Sequence, residues 1–120
     1  MPLAIDTQVD GNVRVFTLKG PLTLGPTLPL FSQRVRRELE DTPPAGMVLD
    51  VSAVTIVDSA GLGELTLVYT LAARRNCSVV LAGVTKALAH SLELTRLDLL
   101  LPSAPDLAAA KKLIASKTSS

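Results

Sequence analysis

Two short apolar runs rich in β-branched residues, MVLDV at 47–51 and CSVVLAGV at 77–84, constrain the fold of this chain more than any other feature. Runs of this length suit strands that are buried on both faces of a sheet. Between them, from about Ala60 to Arg75, the apolar side chains recur at helical spacing. A strand, a helix and a second strand in this order form a right-handed crossover between parallel strands. The sequence therefore predicts an α/β fold.

The N-terminal residues predict an antiparallel hairpin. Two segments, LAIDTQV at 3–9 and NVRVFTL at 12–18, flank Asp10-Gly11, which is a strong signal for a two-residue turn. The stretch 20–25 is predicted as a loop. A first helix is then expected, with helical spacing over 30–39, an end at the stretch 41–46, and Pro26 and Pro29 where a first helical turn tolerates them.

The C-terminal part completes a single mixed layer structure. Three further elements are predicted: a third helix capped by Thr85 and ending near Leu94, an edge strand over 97–101, and a fourth helix that opens with the capping-box spacing of Ser103 and Asp106 and ends near Lys112. The expected architecture is one α/β domain over 1–115, with a mixed sheet of four to five strands and about four helices. Residues 116–120 are predicted as a disordered tail.

Composition excludes several classes of function. Twelve Lys and Arg against eleven Asp and Glu give a net charge of +1, without a block of like charge that would indicate a nucleic-acid or membrane surface. The single Cys77 has no disulfide partner, and with His90 as the one histidine it cannot form a Cys/His metal cluster. No metal or cofactor is predicted. The lack of a signal-like start and of a membrane-length apolar run predicts a soluble cytoplasmic protein.

An acid, a hydroxyl and two glycines interrupt the apolar pattern in TIVDSAGLG at 55–63. This stretch is predicted as the loop between a central strand and the second helix, at an edge of the sheet where sites are commonly built. In one interpretation Ser59 only caps the helix by accepting a hydrogen bond from a backbone N–H. In the other it carries a phosphoryl group, whose charge the helix dipole would tolerate.

Catalytic interpretations of Asp58 and Ser59 fit the residues less well. A nucleophile elbow requires glycine two residues before the serine, where this chain has Val57, and His90 lies in another predicted helix. The two glycines begin a dinucleotide-binding pattern, but position 66 is Thr and no P-loop lysine follows. Asp58 is either a general base or phospho-acceptor, or a loop residue with local backbone hydrogen bonds.

The second helix carries two apolar faces. The broader face is expected to pack on the core, and its members are Leu62, Leu65, Val68, Tyr69 and Ala72. The opposite face has a second apolar stripe bordered by polar side chains: Ala60, Gly63, Leu67 and Leu71, with Glu64, Thr70 and Arg74 around them. Either another helix of the domain covers this stripe, or it is a partner-docking strip beside Ser59.

The segment LDVSAVTIVDSAGLG at 49–63, followed by CSVVLAG at 77–83 and LELT at 92–95, resembles the STAS domain of bacterial anti-sigma factor antagonists. The resemblance spans nearly the whole chain. It implies a partner-switching function, in which the unmodified antagonist binds an anti-sigma factor that is itself a serine kinase. Phosphorylation by that kinase breaks the complex, and a serine phosphatase restores it.

The resemblance also assigns residues. The phospho-acceptor of the family falls on Ser59, and Ala60 stands where the family often has a second Ser or Thr, so the acceptor is unambiguous. Asp58, Gly61 and Gly63 are expected to support this site. The partner surface is expected at the start of the second helix and along its second apolar face, with the members Ala60, Leu62, Gly63, Leu67 and Leu71.

Two alternatives to this non-enzymatic function remain open. The chain is a constitutive STAS scaffold or accessory subunit without a phosphoswitch, or it is a nucleotide-handling protein or enzyme that uses Asp58 and Ser59. Two departures from the family bear on the choice. Pro21 and Thr23 stand where antagonists usually have acids, and Arg96 replaces a glycine whose left-handed conformation would disfavour arginine.

Overall fold

The computed structural model describes residues 2–118 and contains one mixed five-stranded sheet in the order β1-β2-β3-β4-β5. The strands are β1 (Ala4–Asp10), β2 (Val13–Leu22), β3 (Gly46–Val57), β4 (Ser78–Ala82) and β5 (Ser103–Ala104). The helices are α1 (Pro29–Leu39), α2 (Ser59–Ala73), α3 (Lys86–Leu94) and α4 (Leu107–Thr118), with a 3₁₀ turn at Leu97–Leu99. β1 and β2 are antiparallel, whereas the other neighbours are parallel. The predicted α/β class and element numbers are confirmed.

The alternation of side chains along β3 divides the core into two layers. Met47, Leu49 and Val51 point into the larger cluster, which also holds the buried side chains of α1, α2 and α3. Val48 lies on the opposite face, in a smaller cluster that α4 covers with Ile114. Because successive strand residues face opposite sides of a sheet, one apolar run supplies both layers. The sheet thus fixes α2 on the face that also carries α1.

The hairpin is confirmed, but its second strand is longer than predicted. Asp10 pairs with Val13 across the turn, where Gly11 has a φ of +59° that suits glycine. β2 then continues to Leu22, so the prediction that residues 20–25 are all loop is wrong for the first three. The parallel pairing of Leu22 with Val57 holds this extension in the sheet. The end of β2 is thereby brought to the start of α2.

β3 also exceeds its predicted length. It was expected over 47–51 and ends instead at Val57. Residues 55–57 are therefore the end of the strand, and the prediction of a loop there is wrong, because pairing with β2 continues to Val57. β4 pairs with β3 from Gly46 to Asp50, so the later part of β3 extends past its other neighbour. Ile56 on this extension is 61% exposed.

The predicted edge strand over 97–101 is wrong. Arg96 adopts a left-handed conformation, with φ 61° and ψ 18°, and redirects the chain into the 3₁₀ turn. Leu101 is buried there, whereas Leu99 is 74% exposed, so this apolar run does not form a strand of the sheet. The actual edge strand is the two-residue β5, which is too short to leave a pattern in the sequence. The strain expected for arginine in place of the family's glycine is present at Arg96, at a cost of about 1 kcal/mol.

The helices α3 and α4 both begin close to where the sequence predicts, but the cap of α4 differs from the predicted one. Thr85 accepts a hydrogen bond from the N–H of Leu88 and caps α3 as predicted. At α4 the capping-box interpretation is wrong, because Ser103 belongs to β5 and Asp106 itself accepts from the N–H of Ala109. α4 continues through Thr118, six residues past its predicted end near Lys112, and so includes the first three residues of the predicted tail. The remaining residues of the predicted tail, 119 and 120, lie outside the described part.

Candidate functional site

Asp58 lies at the junction of three segments. It follows β3, has extended backbone angles of −119° and −176°, and is the N-cap of α2. Its Oδ1 accepts a hydrogen bond from the N–H of Gly61 at 2.9 Å, and its Oδ2 accepts one from the N–H of Leu24 at 3.0 Å. One carboxylate therefore joins the end of β3, the first turn of α2 and the loop between β2 and α1.

Ser59 is the first residue of α2, and the interpretation that it caps the helix is wrong. The cap position belongs to Asp58, whose backbone is still extended, whereas Ser59 is already helical. Ser59 is exposed, and its hydroxyl makes no side-chain hydrogen bond to any residue of the described chain. Because the neighbouring acid satisfies the helix start, the serine hydroxyl is left free. Its role as a phospho-acceptor stays a prediction.

The two glycines of the motif have different structural positions. A Cβ at Gly61 would lie 1.9 Å from the backbone oxygen of Leu22, so the start of α2 touches the end of β2 at this point. A Cβ at Gly63 would meet nothing within 4 Å. Gly61 is therefore required for close packing, whereas Gly63 faces open space on the surface of α2.

Glu64 does not border the outer face of α2 as expected. It is only 9% exposed, and its Oε2 accepts a hydrogen bond from the N–H of Ser32 at 2.9 Å. α1 begins with Pro29 and lacks a side-chain cap of its own. Glu64 consequently supplies an acceptor to the first turn of α1 and holds the two helices together. The 3.6-residue pattern could not show this, because the partner lies 32 residues away in the chain.

The second apolar face of α2 is partly covered. Ala60 and Leu71 are half-buried against the large core cluster, and Leu62 is likewise half-buried there. Gly63 and Leu67 are exposed, the latter by 36%. The domain itself therefore covers part of this face, while Gly63 and Leu67 are left exposed. That these two residues dock a partner stays a prediction.

The loop between β2 and α1 contributes a residue that the sequence analysis missed. Leu24 is 80% exposed, yet its backbone N–H is held by Asp58. An apolar side chain on an anchored backbone is thus presented at the Ser59 end of the molecule. Its position after Pro21 and Thr23 indicated only a loop. The sequence pattern could not show that the Leu24 N–H donates a hydrogen bond to a side chain 34 residues away.

The catalytic alternatives find little support in this geometry. Both oxygens of Asp58 are engaged with backbone N–H groups, and no described residue offers the Ser59 hydroxyl a base within hydrogen-bond distance. Burial raises the pKa of Cys77 to about 11, so this thiol stays protonated at neutral pH. No group of three potential metal ligands comes together among residues 2–118.

Within the same residues, no helix has the length and apolar character of a membrane span.

The pKa of Asp58 gives a pH-dependent prediction. The backbone N–H of Leu24, followed by that of Gly61, lowers the pKa of this carboxyl below its ordinary value. A lowered folded-state pKa stabilises the fold fully above the ordinary aspartate pKa of about 4, and this contribution is lost as the pH falls through the folded-state value. We therefore expect Asp58→Ala to unfold at lower urea concentration than the wild type at pH 7. On acidification the difference between the urea concentrations at which the two proteins unfold should become smaller.

Urea unfolding of both proteins between neutral and strongly acidic pH tests this expectation. Asp106→Ala, which removes the cap of α4, is a matched control at a distant helix. If the difference in stability between wild type and Asp58→Ala becomes larger as the pH falls, the assigned hydrogen bonds are contradicted.

Comparison with known proteins gives a consistent family assignment. The family model of the STAS domain matches residues 4–110. An anti-sigma factor antagonist from Mycobacterium paratuberculosis is similar in structure, with 23% identity, 95% of each chain covered and a TM-score of 0.80. RsbS from Moorella thermoacetica is 21% identical, with 97% of this chain and 98% of that chain covered and a TM-score of 0.84.

The same fold also occurs inside a much larger protein. The murine anion transporter Solute Carrier 26 family member A9 is 16% identical, with a TM-score of 0.77. The match covers 91% of this chain but only 18% of the transporter chain. At these identities the likeness establishes the fold, and function has to be argued from the site.

Proposed function

Because this chain belongs to the STAS domain family, we propose that it is an anti-sigma factor antagonist that acts by partner switching. Unmodified, it binds an anti-sigma factor that is also a serine kinase. That kinase phosphorylates Ser59 and the complex dissociates, and a serine phosphatase removes the phosphoryl group to restore binding. The protein itself catalyses no reaction in this cycle.

The observation that carries this proposal is the free, exposed hydroxyl of Ser59 at the first position of α2. A kinase requires its acceptor hydroxyl to be accessible and not engaged in the fold. Asp58 already caps the helix, so modification of Ser59 sacrifices no structural hydrogen bond. The positive end of the helix dipole also accommodates the added negative charge within the free protein.

The surroundings of Ser59 explain how a phosphoryl group would disrupt binding. Leu24, on the loop that Asp58 anchors, and Leu67, about two turns further along α2, are exposed apolar side chains. The charged groups in the adjacent sequence are the carboxylates of Asp58 and Glu64, and both accept hydrogen bonds from backbone N–H groups. A dianion added here would have to be desolvated against a partner without a cation in the adjacent sequence to compensate it, which is unfavourable.

Leu67 tests the partner surface separately from the phosphoswitch. Leu67→Asp places a charge in the proposed apolar contact, but it opens no core cavity because Leu67 is 36% exposed. We expect the variant to remain folded and to bind the kinase at least about tenfold more weakly. Circular dichroism and calorimetric titration measure the two effects.

The adjacent residue provides the control for Leu67. Val68 is fully buried, so Val68→Asp should unfold the chain. If Leu67→Asp unfolds in the same way, Leu67 belongs to the core. If it folds and binds like wild type, the docking face lies elsewhere.

Phosphoryl transfer to Ser59 is the direct test of the proposed cycle. The purified chain is incubated with ATP and its anti-sigma factor kinase, and the product is analysed by mass spectrometry. We expect one phosphoryl group, located on Ser59, and none on Ser59→Ala. Modification at another residue, or none at all, would contradict the switch. Turnover of nucleotides or esters by the chain alone that Ser59→Ala abolishes would favour the enzyme alternative.

A constitutive scaffold is the second candidate. The observation that favours it is the end of β2 and the residue that follows, where Pro21 and Thr23 replace the acids usual in antagonists. In this structure Thr23 directly precedes Leu24, which Asp58 anchors, so the replacement changes the charge of the site itself. A scaffold would bind its partner through the same surface and would not respond to modification of Ser59.

A further inference from the structure

A groove of about 280 Å³ lies between the C-terminal ends of α1 and α2. We call it the basic groove, and its lining residues are Arg36, Leu39, Glu40, Leu71, Arg74 and Arg75. The three arginines are exposed, whereas Leu39 is buried and Leu71 half-buried. The groove therefore has an apolar floor and a rim on which three cations face one carboxylate.

The three arginines are not neutralised by the fold. Arg36, Arg74 and Arg75 take part in neither of the ion pairs Arg14–Glu38 and Lys111–Asp10. Arg75 donates one hydrogen bond from Nη2 to the backbone oxygen of Glu40 at 3.3 Å. Cations near helix C-termini are favoured by the dipole, which explains why arginines occur here. That interaction leaves most of the five N–H donors of each guanidinium free for a ligand.

We propose that the basic groove binds an acidic amphipathic segment of a protein partner. Carboxylates match the planar fork of arginine and form bidentate hydrogen bonds with it. Leu71 is half-buried and leaves apolar surface at the floor, which an aliphatic side chain between those carboxylates would cover and a small inorganic anion would not. A segment that carries a leucine-like side chain flanked by glutamates satisfies both the floor and the rim.

The position of the groove connects this inference to the docking face of α2, a step that rests on the proposed function. Leu71 belongs to both surfaces. Ser59 and Arg74 are fifteen residues apart on one helix, which corresponds to about 22 Å. A partner that contacts the Ser59 end would therefore reach the basic groove with a second segment. The arginines attract that segment at one end of α2, while a phosphoryl group repels the partner at the other.

The groove is tested with a defined probe that does not depend on Ser59. An acetylated and amidated peptide, Glu-Leu-Glu-Glu-Leu-Glu, is titrated into the ¹⁵N-labelled wild-type chain, and a peptide with Gln in place of every Glu serves as the matched control. We expect a Kd on the order of 1 mM for the acidic peptide. Chemical shifts should change at Leu71, at Arg74 and at the guanidinium groups of the groove, and the Gln peptide should bind at least about tenfold more weakly.

Variants separate the groove from general electrostatic attraction. Arg36→Glu combined with Arg74→Glu should abolish the shifts. Lys86→Glu combined with Lys112→Glu makes the same change in net charge on exposed residues of α3 and α4, and should retain them. Equal binding of both peptides, or binding that survives the groove variant, would overturn the proposal. So would identical shifts from inorganic phosphate at the same concentration, because the apolar floor would then have no role.

The outcomes at the groove and at Ser59 are independent. If the wild-type chain binds the acidic peptide but its partner binding is not controlled by Ser59, the groove proposal is supported and the partner-switch proposal is contradicted. A chain that switches through Ser59 but ignores the peptide keeps the switch and loses the groove.

Discussion

Gly61→Ala is expected to destabilise the fold by about 3 kcal/mol, at the upper end of the range for overpacking. The added Cβ would lie 1.9 Å from the backbone oxygen of Leu22, and a carbonyl in a paired strand cannot rotate away as a flexible side chain can. Either α2 must move out, which breaks the hydrogen bond from Gly61 to Asp58, or the end of β2 must leave the sheet. Urea unfolding followed by circular dichroism measures the loss.

Gly63→Ala is the matched control, two residues along the same helix. Its Cβ meets nothing within 4 Å, and alanine is the better helix former by about 1 kcal/mol. We expect this variant to be as stable as wild type or slightly more stable. Equal destabilisation by the two substitutions would mean that the helix start, and not the contact with Leu22, determines the requirement for glycine.

Phosphorylation of Ser59 is expected to weaken kinase binding by at least about 100-fold and to leave the fold intact. The phosphoryl group adds a charge of about −1.5 to −2 at pH 7. In the free protein the N-terminus of α2 accommodates it, so the free energy of unfolding should change by no more than about 1 kcal/mol. In the complex the same charge is desolvated beside Asp58, and like charges brought together at an interface cost several kcal/mol.

Substitutions at Ser59 should separate charge from capping. Ser59→Asp carries less charge and a shorter side chain than phosphoserine, so it should weaken binding only in part. Ser59→Ala should bind like the unmodified protein. It should also be as stable as wild type within about 0.5 kcal/mol, because Asp58 caps the helix. A loss of stability near 1 kcal/mol in Ser59→Ala would contradict the assignment of the cap.

The features of the fold that could be predicted from sequence are those written in local patterns. The Asp10-Gly11 turn, the apolar strands at the centre of the sheet and the Thr85 cap each depend on neighbouring residues, and all were found in the structure. The same reasoning failed where pairing with a distant segment decides the outcome. β2 and β3 extend to Leu22 and Val57 because they pair with each other, and neither end has a signal of its own.

The candidate site divides in the same way. The motif around Ser59 was visible in the sequence, together with its position at the start of a helix. The sequence did not show which residue of the motif makes which hydrogen bond. Asp58, and not Ser59, caps the helix, and it also anchors Leu24. Glu64 was assigned to the wrong side of α2, since helical periodicity cannot show that Ser32 needs an acceptor. The bonds of Leu24 to Asp58 and of Ser32 to Glu64 each join residues more than thirty positions apart in the chain, whereas the choice of Asp58 over Ser59 as the cap concerns a bond to Gly61 only three positions away.

Calorimetric titration of the anti-sigma factor kinase with three forms of this chain tests the central claim most directly. The forms are unmodified wild type, Ser59→Ala and the protein phosphorylated on Ser59, each shown to be folded by circular dichroism. We predict equal affinity for the first two and an affinity at least about 100-fold lower for the third. Equal affinity for all three would contradict the switch and leave the constitutive scaffold as the function of this domain.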